Sequence, residues 1–284
     1  MTKGTRTFRI IISVLLGLTM LWTAYISYAF IYYAKDMHAQ EQNERYGLYV
    51  AGVDVTHGNA HDILGDGTAS YNAKYNRLTL NNAAIECEGS AIYSEIDLTV
   101  ELTGENKFTC RGKDFTYAVY ASDVSLKKSI SFTGDGTLDI LVDDESCVNN
   151  AGIVADDLWI SSDISITLTN AEDQSDGISC SFLNLAKDNT LTVKAGSAKT
   201  STGIFVRGDI ILESNSSLDV AGMASEKSSC GIECTGTIMA YEGSTITAVS
   251  GSNRAGIICY STFADGGATV NAEIDAIDGI CEMK

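Results

Sequence analysis

The sequence predicts an all-β solenoid, a parallel β-helix of about 7 coils with three strands in each coil. A two-residue phrase, a small residue followed by a β-branched one, recurs eight times at steps of 23 to 34 residues. Regular self-similarity of this period is typical of solenoids. The phrase stands at Ala91-Ile92, Ala118-Val119, Gly152-Ile153, Gly177-Ile178, Gly203-Ile204, Gly231-Ile232, Gly256-Ile257 and Gly279-Ile280.

Two further pairs of alternating apolar residues follow the phrase in most repeats, and alternation of period two predicts a strand with one face inward. Gly, Asn, Asp and Ser separate the pairs and favour turns. The second strands carry Leu98/Val100, Val124/Leu126, Leu158/Ile160, Leu183/Leu185 and Ile210/Leu212. The third strands carry Leu138/Ile140, Ile164/Ile166, Leu191/Val193 and Leu218/Val220.

The β-branched residues of the phrase should form one inward ladder from Ile92 to Ile280, with coils about 4.8 Å apart. We expect the small residue before each to lie at a tight corner, where glycine tolerates unusual dihedral angles. The leucine-rich repeat has a similar period, but its frame is missing and no repeat has a helical apolar pattern. A β-sandwich would not repeat a phrase at a fixed interval. The chain contains no proline, which suits strands whose every N–H is bonded.

The N-terminal segment predicts a membrane anchor. Residues 1–9 form a basic cytoplasmic tail, and the 24 residues of segment 10–33 carry no charge, which is enough to span a bilayer. Basic residues before the span place the remaining chain outside the cell membrane. A cleaved signal peptide is the alternative, since Ser27-Tyr28-Ala29 fits a small-x-small cleavage site and would release the protein near Ala29. Residues 34–45 read as a short stalk.

Charge is distributed unevenly along the chain. Residues 1–45 carry 5 basic and 3 acidic side chains, whereas the remainder carries 14 basic and 34 acidic ones, a balance of −20. Nucleic acid needs basic partners for its phosphates, so we expect no nucleic-acid binding. The acidic body is typical of a soluble exported surface.

We expect residues 46–90 to form an N-terminal cap with a first incomplete coil. The parallel β-helix is expected over residues 91–284. Several phrases resemble a group of bacterial surface proteins described as carbohydrate-binding-domain-containing, with a right-handed, pectate-lyase-like β-helix. The resemblance covers roughly residues 48–260 and implies that fold and sugar binding, without binding residues to transfer. It is carried by Leu64-Gly-Asp-Gly-Thr68, Tyr71, Leu78-Thr-Leu-Asn-Asn-Ala83, Ala91-Ile92, Leu102-Thr-Gly-Glu-Asn106 and Gly134-Asp-Gly-Thr-Leu138.

Most chemistry-bearing residues have a structural explanation. One inward column is shared by Cys180, Cys234 and Cys259. This position predicts that they serve as small, buried hydrophobic side chains. The spacing of the eight cysteines leaves disulfide pairing open. Both His57 and His61 fit a solvated loop better than a metal site, so we expect no metal and no cofactor.

Catalysis is not expected, although the sequence leaves it open. Carboxylates cluster at residues 143–145 and 156–157, and turn capping with solubility explains them. The polygalacturonase motifs Gly-His-Gly and Arg-x-Lys are missing. Four residues after the small residue of each phrase lies an outward position, and no two neighbouring coils both carry an acid there, as a pair of catalytic carboxylates would need. We therefore expect no catalytic residue.

Tyr93 and Tyr120 fall on the outward column of adjacent coils and form a candidate sugar-binding platform, because a sugar ring packs on an aromatic face. An ordinary cross-strand aromatic pair is the alternative. We therefore expect a membrane-anchored surface protein that binds a glycan or another surface partner without catalysis. The competing hypothesis is a polysaccharide lyase or hydrolase acting on an acidic polysaccharide.

Overall fold

The computed structural model describes residues 18–23, 25–32, 44–122, 128–143, 147–252 and 255–276. Residues 18–23 and 25–32 are helical, and the solenoid belongs to a second compact unit that starts at Arg45. None of the helices in the described ranges is long and apolar enough to cross a membrane. The basic tail, the rest of the predicted anchor and residues 34–43 lie outside the described residues.

Among the described residues from Arg45 onward, every regular element is a β-strand. The first five are β1 (Arg45–Val50), β2 (Val53–Thr56), β3 (Ala69–Asn72), β4 (Arg77–Asn81) and β5 (Ala84–Glu88). The next nine are β6 (Ile92–Ser94), β7 (Leu98–Thr103), β8 (Glu105–Arg111), β9 (Phe115–Ala121), β10 (Ile130–Gly134), β11 (Thr137–Val142), β12 (Asn149–Val154), β13 (Asp157–Ile160) and β14 (Asp163–Leu168).

Thirteen strands follow in the second half of the described chain. They are β15 (Gln174–Cys180), β16 (Phe182–Leu185), β17 (Thr190–Lys194), β18 (Ala198–Val206), β19 (Ile210–Leu212), β20 (Ser217–Ala221), β21 (Ser225–Cys234), β22 (Ile238–Tyr241), β23 (Thr245–Val249), β24 (Ile257–Cys259), β25 (Phe263–Gly266), β26 (Thr269–Asn271) and β27 (Ile274–Ala276).

These strands form three sheets that wrap around one core. Sheet A has the order β2-β1-β6-β9-β12-β15-β18-β21-β24-β27, sheet B runs from β25 to β3, and sheet C runs from β26 to β5. Each run of three strands from β6 to β26 contributes one strand to every sheet, so the described residues contain seven complete coils. The predicted parallel solenoid of about seven coils is confirmed.

The N-terminal end departs from the parallel pattern. Strand β1 pairs antiparallel with β6, and β3 with β4 forms an antiparallel hairpin at the edge of sheet B. Sheet edges expose unpaired backbone groups, so such segments shield the first coil from edge-to-edge association. Strands β4 and β5 pair parallel with the first complete coil.

The inward ladder is confirmed. Ile153, Ile178, Ile204, Ile232 and Ile257 pair in register from coil to coil, and each is 0% exposed. The alternating pairs of the third strands face the same core. Burial of this column removes apolar surface from water in every coil, which is the main favourable contribution to stacking.

Two predicted positions are wrong. The ladder continues from Ile257 to Ile274 and not to Ile280, which lies outside the described residues together with Gly279. In the longest repeat, Ile130 and Phe132 pair with Leu98 and Val100, so strand β10 takes the place expected for Val124/Leu126. Val124 and Leu126 themselves belong to residues 123–127, which lie outside the described ranges.

The explanation expected for the phrase glycines is also wrong. None of Gly152, Gly177, Gly203, Gly231 and Gly256 has a positive φ. They lie in or beside the strands of sheet A, where the coils approach too closely for a side chain. A Cβ atom on Gly203 would lie 2.6 Å from the carbonyl oxygen of Gly231. A Cβ atom on Gly231 would in turn lie close to the carbonyl oxygen of Gly256. Lack of space, rather than backbone conformation, requires glycine here.

Two residues before five of the phrases, from Ala118 to Gly231, lies a buried polar row that closes the turn into sheet A. Ser175 Oγ accepts a hydrogen bond from the Gly196 amide at 2.8 Å, and Ser201 Oγ accepts one from the Met223 amide at 2.9 Å. Buried backbone donors need such partners. The row is in register from coil to coil and consists of Thr116, Asn150, Ser175, Ser201 and Ser229.

The phrases that carry the family resemblance shape the corner between sheets B and C. Asn106 is buried, its Oδ1 accepts from the Ala83 amide at 2.9 Å, and its Nδ2 donates to the Thr103 and Thr137 carbonyls. Gly134 has a φ of 104°, which favours glycine. These residues therefore determine the geometry of the coil.

Replacing a ladder isoleucine should destabilise the middle of the stack. We expect Ile204→Ala to lower the free energy of unfolding by about 2–5 kcal/mol, because it removes buried methyl groups and leaves a cavity. Ile211→Ala in the same coil is the matched control, since Ile211 lies on the outward face and is half-buried. Thermal and urea unfolding measure both, and equal losses would contradict the ladder.

Candidate functional site

The outer face of sheet A carries a continuous strip of aromatic side chains near its N-terminal end. Tyr93 and Tyr120 stack with 5.8 Å between ring centroids and 19° between ring planes. Tyr49 extends the strip on one side at 5.5 Å from Tyr93, and Tyr117 extends it on the other at 5.2 Å from Tyr120. Phe115, 61% exposed, completes the strip at 6.3 Å from Tyr117.

A cleft of about 290 Å³ opens beside this strip. It spans three coils, and its two walls come from β9 and β15. The aromatic wall holds Phe115, Tyr117 and Tyr120, and the opposite wall is polar. The polar wall consists of Gln174, Asp176 and Ser179.

The floor of the cleft comes from the small side chains of the middle strand, β12. Ala151 lies in register between Tyr117 and Asp176, and Val154 lies between Tyr120 and Ser179. Because neighbouring coils are about 4.8 Å apart, the backbones of the two walls are about 10 Å apart. Short side chains on the middle coil therefore leave room for a flat, ring-sized group between an aromatic and a polar wall.

Asp176 is the most buried ionisable group of the cleft, with 8% of its surface exposed. Gln174 Nε2 donates a hydrogen bond of 2.6 Å to its Oδ2 atom. Burial raises the pKa of Asp176 to about 6, and the charge of Glu233 acts in the same direction, whereas bonds from Gln174 and Thr202 oppose the shift. The carboxyl group can therefore donate or accept a hydrogen bond near neutral pH.

The strip itself is partly removed from water. Burial and the nearby Glu95 carboxylate raise the pKa of Tyr93, whose hydroxyl donates to Glu95 Oε1 at 3.4 Å. Burial also raises the pKa of Tyr117, with contributions from Tyr120 and Asp176. These phenols therefore stay protonated, and their hydroxyls remain hydrogen-bond donors.

The structure places Tyr93 and Tyr120 side by side, as the columns indicated, and it adds residues that the sequence analysis missed. Tyr49 escaped notice because it belongs to an antiparallel strand outside the repeats. Tyr117 and Asp176 immediately precede the phrase, where strict alternation would turn them inward. The glycine or alanine of the phrase is itself buried, so the residue before it faces outward. A glycine inside a strand signals such an irregularity.

The other candidate residues do not assemble into a site. Both His57 and His61 are exposed in turns, and within the described ranges no group of three or more metal-ligating side chains occurs. Asp156 and Asp157 are half-buried, whereas Asp144 and Glu145 lie outside the described residues. Cys180, Cys234 and Cys259 are buried in their expected column.

Comparison of the chain with family models, with curated proteins and with solved structures finds no match in any of the three.

The pKa of Asp176 predicts a pH dependence of stability. A carboxyl group whose pKa is raised by folding stabilises the folded state below its unfolded pKa, and this contribution is lost as the pH rises through about 6. We expect Asp176→Asn to remove the loss, so its stability relative to wild type should rise by on the order of 2–3 kcal/mol between pH 4 and pH 7. Denaturant unfolding at several pH values measures this.

The matched control for this titration is Ser179→Ala, because Ser179 also lies on the polar wall of the cleft and carries no ionisable group. It should keep the wild-type pH profile. Equal profiles for wild type and Asp176→Asn would show that Asp176 titrates alike in the folded and unfolded chains.

Proposed function

We propose that the chain is a surface protein, anchored in the cell membrane by residues 10–33, whose solenoid binds an uncharged glycan without transforming it. The observation that carries the proposal is the cleft between the aromatic wall of β9 and the polar wall of β15. The resemblance to carbohydrate-binding surface proteins with a right-handed, pectate-lyase-like β-helix belongs to the same proposal.

The cleft combines the two kinds of contact that a sugar ring needs. Its carbon-bound hydrogens form apolar patches that pack on aromatic faces, and its hydroxyls need hydrogen-bond partners. Tyr117 and Tyr120 offer the faces, while Gln174, Asp176 and Ser179 offer donors and acceptors. The stacked Tyr93 and the neighbouring Tyr49 extend the aromatic surface, which favours a chain of sugars over a single one.

Charge favours an uncharged glycan. The part of the chain after residue 45 has a balance of −20, and Asp176 with Glu95 adds local negative charge at the strip. An acidic polysaccharide would be repelled by this field. A neutral glycan needs no charged partner and is not repelled by the acidic surface.

An enzyme acting on polysaccharide is the second candidate, and the raised pKa of Asp176 is the observation that favours it. A buried carboxyl group of this kind can serve as a general acid. Glycoside hydrolysis needs a second carboxylate across the bond. The described residues that line the cleft include Asp176 as their sole carboxylate, which supports binding over turnover.

A glycan array probed with the full chain in detergent should show binding to neutral polysaccharides. Tyr120→Ala should weaken binding at least about fivefold, because a truncated aromatic contact commonly costs more than 1 kcal/mol. Trp159→Ala is the matched control. Its ring lies 5.1 Å from Phe182 on the outer face of sheet B, whereas the cleft lies on sheet A.

Three outcomes of these assays would count against the proposal. Loss of binding in Trp159→Ala but not in Tyr120→Ala would place the site elsewhere. Binding to a protein partner and to no polysaccharide would contradict the glycan itself. Product release from pectin or other uronate polymers, with calcium present and lost in Asp176→Asn, would instead establish the enzyme.

The anchor has its own test in cells that produce the protein. If residues 10–33 stay attached, the full chain should remain with the membrane fraction after a high-salt wash, since burial of an apolar span is insensitive to ionic strength. Mass spectrometry of the mature N-terminus can contradict the anchor. A chain that begins at Phe30 would be a secreted protein, released by cleavage after Ala29.

A further inference from the structure

Two pairs of cysteines lie in register on adjacent coils. Cys87 of β5 pairs with Cys110 of β8, and their sulfur atoms are 3.6 Å apart. Cys234 of β21 pairs in the same way with Cys259 of β24. All four are thiols in this structure.

The backbone geometry of both pairs suits a disulfide without rearrangement. In-register residues on neighbouring parallel strands have Cα atoms about 4.8 Å apart, and disulfides accept separations of roughly 4.4–6.8 Å. Their side chains project to the same side of the sheet, because register pairs of a parallel ladder share one face. Rotation of the thiols is therefore enough to bring Cys87 and Cys110 into bonding contact.

The Cys87 and Cys110 thiols differ in the way that disulfide exchange requires. Cys87 is half-buried and Cys110 is buried. Contact with the Cys110 thiol lowers the pKa of Cys87, while the same contact and burial raise the pKa of Cys110. Cys87 is therefore the reachable, more nucleophilic thiol, and Cys110 is placed behind it as the resolving thiol. In the second pair, contact with Cys234 lowers the pKa of Cys259 to about 6.

We infer that Cys87 and Cys110 form a cross-coil disulfide by exchange with a disulfide oxidant, and that Cys234 and Cys259 form a second one more slowly. The oxidising setting rests on the proposed export of the solenoid. The slower rate follows from burial, since both Cys234 and Cys259 are at most 1% exposed.

The reaction balances as two successive exchanges. The Cys87 thiolate attacks one sulfur of the oxidant, breaks its S–S bond and releases one thiolate. The Cys110 thiol passes its proton to that thiolate, attacks the Cys87 sulfur in the mixed disulfide and releases the second thiolate, which takes up from water the proton that Cys87 lost. Two protein thiols are oxidised to one disulfide, and one disulfide of the oxidant is reduced to two thiols.

The positions of the pairs explain what the cross-links would do. Strand β5 is the edge strand of sheet C, and β24 belongs to the last complete coil of the described residues. In a solenoid each coil contacts only its neighbours. Strand β5 has a partner on one side alone, and beyond β24 the described part of sheet A continues only with the three-residue strand β27. A covalent link to the next coil opposes fraying at the two ends, where the stack is weakest.

Oxidised glutathione tests the inference on the purified full chain in detergent. After reduction and removal of the reductant, the chain is incubated with oxidised glutathione, remaining thiols are alkylated, and peptides are mapped without reduction. We expect the Cys87–Cys110 cross-link first, the Cys234–Cys259 cross-link later, and a higher melting temperature for the cross-linked chain. Alkylation of Cys87 and Cys110 under folded conditions would overturn the inference.

Two variants separate the proposed chemistry from a folding defect. In Cys110→Ser the resolving thiol is gone, so Cys87 should accumulate as a mixed disulfide with glutathione. Cys147→Ser is the matched control, because the buried Cys147 thiol donates to the Asn149 carbonyl at 2.8 Å and should not affect either cross-link. Cross-links from Cys87 to other cysteines in the control would contradict the assigned pairing.

Alkylation of intact cells before lysis distinguishes this inference from the proposed function. Cross-links already present in cells support both the pairing and the export of the solenoid. Free Cys87 and Cys110 thiols in cells, with cross-links that form readily in the purified chain, would overturn export and leave the pairing standing. Failure to cross-link the purified chain would overturn the pairing and leave the glycan assay unaffected.

Discussion

The structure depends on the in-register hydrogen bonding between adjacent coils, which aligns equivalent positions in columns about 4.8 Å apart. A column can be apolar, polar or aromatic, but every member must fit beneath its neighbour. The isoleucine ladder fills the interior in this way, and the serine row closes the turns. The phrase glycines follow from the same constraint: a Cβ atom on Gly231 would lie 2.8 Å from the Gly256 carbonyl oxygen.

The same register explains how a flat sheet acquires a cleft. A column of equal side chains gives a level surface, whereas a change of size within a column makes a depression. Tyr117, Ala151 and Asp176 are consecutive members of one column, and the alanine is the low point. In the neighbouring column Tyr120 is followed by the smaller Val154 and Ser179, so the surface drops on one side of the tyrosine. The cleft is therefore a local difference between coils and needs no inserted loop.

Alternation of apolar residues was sufficient to predict the ladder, most strands and the Tyr93/Tyr120 pair, because register then carries each position from coil to coil. It failed at the phrase, where two consecutive buried residues break the alternation and turn Asp176 outward. It also failed for Tyr49, since pairing between a non-repeated strand and the first coil leaves no periodic signal. The raised pKa of Asp176 depends on burial, which no single position of the sequence reveals.

The walls of the cleft belong to strands β9 and β15, so its width equals two coil spacings and is fixed by backbone hydrogen bonds on either side of β12. Any loosening between these coils would move the aromatic wall away from the polar one. Because contacts in a solenoid are limited to neighbouring coils, the Cys234–Cys259 pair can affect this region only through the coils between them, whereas Cys110 in β8 is five residues before Phe115 of the aromatic wall. Binding in the cleft should therefore depend on the stability of three coils, and cross-linking should determine how strongly the whole stack resists unfolding.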